Sequence, residues 1–254
     1  MNAWTLAGFG MNAAMIIMAA GWAIARRIKN ASYLEVVWSY GFSAVVWLYA
    51  LIGPGDPVRK WLITGMATLW SLWLGTSLLI EAMRHHPAET RRYVELRKQF
   101  PKRPWLMFFG FSQYQAALLA LLSAPFAIAC SNATPGITGW EIAGFALWLV
   151  AIGGNAAANF QSSRFRSDPK NSGKVCDVGL WRYSRQPDSF FQWLIWVAYF
   201  IFSVGSPWGW VTVYCPLIML YFLTQVAGIS PAFPGPPKPN HRSPNTRVNE
   251  AGGA

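Results

Sequence analysis

Charge is scarce in this chain, and acid is the scarcer sign. Asp and Glu together number 10 among 254 residues, and charged residues of both signs make up 12%. A soluble domain carries about 25% charged residues, so even a large water-soluble all-α protein fits poorly. Cysteine is equally sparse. Cys130, Cys176 and Cys215 stand far apart, without the close pairs of a redox motif, a zinc knuckle or a disulfide framework. Cys130 and Cys215 lie in or beside apolar stretches and read as small core residues. His85 and His86 have no Cys or acid cluster near them, so they read as loop-surface histidines and no metal site is expected. No repeat of 20–50 residues is visible.

What the chain has is apolar length. Hydrophobic residues make up 54%, with 15 Trp and 16 Phe. Seven spans stand out, at 4–25, 33–52, 61–82, 105–130, 139–159, 190–205 and 210–229. Each is near the roughly 20 residues a helix needs to cross about 30 Å of hydrocarbon. The first lacks a basic lead-in and a small-residue cleavage site, so it reads as a retained helix.

The net charge of +11 would suggest nucleic acid as a partner in a soluble protein. Here the cations sit between apolar spans, and no nucleic-acid partner is expected. Arg26 to Lys29, Arg84 to Arg103, Arg164 to Arg185 and Lys238 to Arg247 fall on alternate loops and the tail. Of the 21 Lys and Arg residues only Arg59 and Lys60 fall outside that set. This asymmetry places the basic side in the cytoplasm. The expected fold is all-α: a polytopic membrane helix bundle of about seven transmembrane helices, N-terminus outside and C-terminus cytoplasmic. Residues 1–230 form the membrane domain, and 231–254 a disordered Pro-rich tail. The location is an integral multi-pass membrane site, endoplasmic reticulum if eukaryotic and inner membrane if bacterial. On the outer side Glu141 is expected to be solvated. Gly153, Gly154 and Ala156 to Ala158 suit close helix packing.

The loop between the fifth and sixth spans is the most informative stretch. It carries Arg164, Arg166, Lys170, Lys174, Arg182 and Arg185, interleaved with Phe165, Trp181 and Tyr183. Arg and Lys pair with phosphates, and aromatic rings stack on bases. The plain alternative is a positive-inside loop that meets anionic lipid heads.

The stretch from Asn159 to Phe190 resembles the signature of the steroid 5-alpha-reductase-like family of membrane proteins. Gln161, Arg164, Phe165, Asn171, Gly173, Lys174, Asp177, the run Gly179-Leu180-Trp181-Arg182-Tyr183-Ser184-Arg185, Pro187 and Phe190 all match. Ser32 to Phe42, the residues Glu89, Arg92, Tyr93 and Arg97, and the pair Gln115 and Pro125 match elsewhere, so the likeness runs from about Ser32 to Ser230. It implies a seven-helix bundle that holds NADPH at the cytoplasmic side and reduces a carbon–carbon double bond of a sterol or other lipid. By the same likeness Gln161, Arg164, Lys174, Asp177, Leu180, Trp181, Arg182, Tyr183, Arg185 and Pro187 serve the cofactor. Glu35 and Tyr33 are the implied catalytic pair, and Gln115 and Tyr40 face the lipid. Such a reaction needs a donor at the developing oxyanion and an acid for the adjacent carbon.

The chain departs from the family pattern at defined positions. Gln186 stands for His, Asp188 for Asn, Ser189 for Tyr, Phe191 for Gly and Gln192 for an acid. Asn159 stands for an acid and Trp73 for an Arg. An acidic, tyrosine-bearing segment after Gly228-Ile229-Ser230 is missing, and the chain runs directly to Pro231. Two alternatives follow: an S-adenosylmethionine-dependent membrane methyltransferase of the isoprenylcysteine or phospholipid type, and a non-catalytic lipid-binding member. An acid in an apolar span is a functional candidate by default, which favours Glu35; pairing with Arg26, Arg27 or Lys29 is the structural alternative. Glu81 is expected to pair with Arg84 or another loop cation.

Overall fold

Helix boundaries follow the local signals closely. In the computed structural model, which describes residues 1–100, 102–171 and 174–226, α1 spans Ala3–Ile28. It is capped by Asn2, whose side chain accepts from the Thr5 N–H at 2.9 Å. Helix α2 spans Tyr33–Ile52 and α3 Pro57–His85. Asp56 caps α3 through the N–H groups of Val58 and Arg59, with Pro57 at the first position, where no N–H is needed. Then follow α4, Arg91–Gln99, α5, Pro104–Leu122, α6, Ala124–Ser131, and α7, Gly139–Ser167. Helix α8 spans Pro187–Val204, and α9, Tyr214–Tyr221, lies between short 3-10 and π turns. No strand occurs among the described residues. The tail 231–254 and the end of the seventh expected span lie outside them.

Helices α1, α2, α3, α5 and α7 are long and apolar enough to cross a membrane. Helix α8 has 18 residues and opens on a polar turn, and the final apolar helical stretch runs Gly209–Thr224. The expected fourth span, 105–130, is two helices. Pro125 has no N–H to return to the Leu121 carbonyl, so the helix breaks at Ser123. The freed Leu121 carbonyl accepts instead from the Tyr214 hydroxyl at 2.8 Å. The expected loop 84–103 contains α4, whose Tyr93 is buried against Phe108 and Phe111.

The core is aromatic. Phe42, Trp70, Trp196 and Tyr199 meet edge to face with centroids 5.2–6.2 Å apart, a geometry that matches positive ring edges to negative faces. Gly154 lets α7 approach α8: a Cβ there would lie 2.3 Å from the Phe191 ring. Cys130 and Cys215 are buried.

The bundle has two unlike ends. At one, Asn30 donates to the Ala88 carbonyl, the Ala31 N–H to Glu89, and the Thr90 N–H to Ser32. Every described Lys and Arg except Arg59 and Lys60 belongs to the loops and helix termini of this end. At the other, the Gly55 N–H donates to the Cys130 carbonyl and Asn132 to Ser206. There Glu141 is not solvated. It is fully buried with Arg59, whose side chain donates to Glu141 and to the carbonyls of Asn132, Thr134 and Gly136. An arginine has five N–H donors and no acceptor, so three backbone carbonyls and a carboxylate satisfy the whole fork.

Candidate functional site

A cavity of about 490 Å³ opens among α2, α3, α4, α5, α7, α8, α9 and the chain just after α9, within the roughly 300–1,000 Å³ usual for small-molecule sites. Its walls are apolar and aromatic, with Trp38, Trp73, Leu74, Phe111 and Leu118 prominent. Most of its polar groups, among them Glu35, Arg92, Asn159, Asp188 and Ser189, come from α4, the starts of α2 and α8 and the end of α7, so it belongs to the basic end.

Glu35 sits in the first turn of α2 and meets Arg92 of α4 at 3.3 Å; both line the cavity. Gln115, from the middle of α5, is 8% exposed and lines the cavity as well; its buried Oε1 has no hydrogen-bond partner. Behind them lies the buried Tyr93 phenol. Burial, and then the charge of Glu35, hold its pKa well above the usual tyrosine value, so it stays protonated.

The opposite wall is a hydrogen-bonded chain. Trp73 donates to Asn155 Oδ1 at 3.0 Å, and Asn155 donates to the Asp188 carbonyl at 2.9 Å. Asn159 Nδ2 bonds back to Asn155, and Trp70 donates to Gln192 at 3.3 Å. Asn155 is not among the sequence-predicted site residues, and it stands between small residues suited to helix packing. An Asn inside an apolar span was the available signal. Trp73, Asn159, Asp188, Ser189 and Gln192, five of the positions at which the sequence differs from the pattern it was compared with above, all line this cavity.

The basic segment folds against the end of α7. Gln161 Oε1 accepts from the Leu180 N–H at 2.8 Å, and Trp181 donates to the Ala158 carbonyl at 2.9 Å. Gly179 has φ +57°, and a Cβ there would meet the Gln161 side chain at 2.5 Å. Arg164 lines a second hollow, of about 520 Å³, with Phe160, Asp168 and Asn171. Lys174, Asp177, Arg182 and Tyr183 are exposed, and Trp181 is half-buried. Pro187 is buried and opens α8. Gly173 lies outside the described residues.

Of the four residues assigned to catalysis and lipid, the structure brings Glu35 and Gln115 to the cavity. Tyr33 faces His86, with ring centroids 6.5 Å apart. Tyr40 packs on Gly75 and bonds Thr76 at 3.0 Å. Neither tyrosine is among the lining residues. Glu81 is exposed, and no ion pair among the described residues includes it.

These features define a helical membrane-embedded protein with a polar-lipped, apolar cavity at its basic end. The family described as "Protein of unknown function (DUF1295)" matches residues 21–233, and the chain belongs to it. A protein of Schizosaccharomyces pombe, described as uncharacterized, is 24% identical over 206 residues, covering 72% of this chain and 60% of that protein. The chain thus spans less than two thirds of that relative's length. No solved structure matches it.

Proposed function

We propose that the protein is a membrane oxidoreductase that reduces a carbon–carbon double bond of a sterol or other lipid with NADPH. In this reading the cavity holds the lipid, and the segment from Gln161 to Arg185 holds the cofactor. All seven helical spans cross the bilayer, with the basic end in the cytoplasm. The observation that carries it is continuity. Asn159 lines the cavity, Gln161 and Arg164 line the second hollow within the next two turns of the same helix, and Asp188 and Ser189 return to the cavity just after the basic segment ends.

The residues present fit the cofactor. Arg164 beside a hollow of about 520 Å³, with exposed Lys174 and Arg182, suits phosphate oxygens. Asp168 and Asn171 in the same hollow suit sugar hydroxyls. NADPH, when bound, supplies hydride. This chain orients the lipid against apolar walls and excludes water from them. Gln115 offers an amide N–H to a carbonyl oxygen, and the protonated Tyr93 phenol beside Glu35 is the proton reserve.

The test is cofactor binding to the purified protein. Micromolar or tighter NADPH binding, reduced about tenfold or more in Arg182→Ala/Arg185→Ala, is the expected result. S-adenosylmethionine binding in its place would move the reading to a methyltransferase. The five departures that line the cavity favour one second reading, a non-catalytic lipid-binding protein. Lipid binding with neither cofactor would establish it.

A further inference from the structure

Among the described residues, the cavity lining carries one charge without a counter-charge. Its charged lining residues are Glu35, Arg92 and Asp188. Glu35 and Arg92 neutralise each other across 3.3 Å. Asp188 enters no ion pair among the described residues, and its buried Oδ1 has no hydrogen-bond partner. The residue is half-buried, and a carboxylate oxygen shielded from water without a donor is unfavourable unless something pairs with it. The first turn of α8, where Asp188 sits, supplies only the partial positive charge of a helix start. Asn155 holds the Asp188 carbonyl at 2.9 Å, which fixes the backbone that bears the carboxylate.

The rest of the lining points the same way. Gln115 Oε1 is a second buried acceptor without a donor. Trp38, Trp73, Phe111 and Tyr114 present aromatic rings, whose faces attract cations. Arg92, the one cation among the described lining residues, is held by Glu35 and lies over the Phe111 ring. An anionic head would meet an unpaired carboxylate. A head with only acceptors would leave both free acceptors unmet.

We propose that the cavity selects an amphiphile whose polar end is a protonated amine, with its ammonium against Asp188 and its chain along Leu74, Leu118 and Leu122. The proposal rests on the reading of this cavity as a lipid site and adds the head group to it.

The test uses the full chain purified in an uncharged detergent. Binding of a twelve-carbon primary amine and the matching alcohol is measured by calorimetry, with NADPH binding measured separately on the same preparation. The expected result is about tenfold or greater preference for the amine. In Asp188→Asn the preference disappears while alcohol binding persists. Equal affinity for amine and alcohol in the unaltered protein would overturn the head-group assignment and leave the lipid cavity standing. So would a preference that survives Asp188→Asn. Binding of neither probe would overturn both. The comparison on the unaltered chain needs no variant, so misfolding of Asp188→Asn cannot mask the answer. Amine selectivity without NADPH binding would keep this inference while removing the reductase.

Discussion

Arg59 and Glu141 form an ion pair with both side chains fully buried, at the end of the bundle away from the cavity. The pair ties the start of α3 to the start of α7 and collects three loop carbonyls on one guanidinium. Removing one member strands the other charge. Arg59→Ala or Glu141→Ala should each lower unfolding stability by about 3–5 kcal/mol. Replacing both with Met and Leu should recover much of that loss. Denaturant unfolding in micelles checks it; two single variants with near-native stability would contradict the pairing.

Glu35 and Arg92 form the opposite case. Their side chains are 28% and 50% exposed, and such pairs contribute about 0–1 kcal/mol. Glu35→Gln should leave the melting temperature nearly unchanged while altering ligand affinity at the cavity. A large loss of stability with unchanged binding would assign Glu35 to the scaffold.

The Gln161–Leu180 contact makes Gly179 hard to replace. Gly179→Ala adds left-handed strain of about 1–2 kcal/mol and a Cβ against the Gln161 side chain. Both Gly179→Ala and Gln161→Ala should loosen the basic segment. Tryptic cleavage at Arg182 is expected to accelerate in each, with helical content unchanged. Cleavage at the native rate would show that the segment is held some other way.

Tyr93 gives a pH signature. Its folded pKa is raised above 10.0, first by burial and then by Glu35. Its contribution to stability is complete below the unfolded value of about 10 and declines as pH rises from there toward the folded value. Tyr93→Phe should flatten the stability profile above about pH 10. An unchanged slope would mean that other phenols dominate.

Much of the bundle was legible because an apolar run has few places to go. Pro57, Pro104 and Pro187 open helices as their missing N–H groups require. The charge asymmetry foreshadowed the two unlike ends. The break at Ser123 was harder to see, because Pro125 is apolar and leaves hydropathy intact. The burial of Glu141 was invisible for another reason. Its partner Arg59 lies 82 residues away, and only the tertiary fold brings them together. At the site, Glu35 and Gln115 could be named because polar groups in apolar helices stand out. Tyr33 and Tyr40 entered with the family likeness. Helix α2 turns Tyr33 to His86 and Tyr40 to Thr76, because neighbours in a helical sequence do not share a face.

The basic segment is braced from its own side. Gln161 and Ala158, which hold it, both belong to α7, the helix that leads into it. Neither of these two hydrogen bonds reaches α2, α3 or α5. Mutations can therefore repaint the cavity wall without slackening the segment beside it. The two halves of the site are free to drift at separate rates.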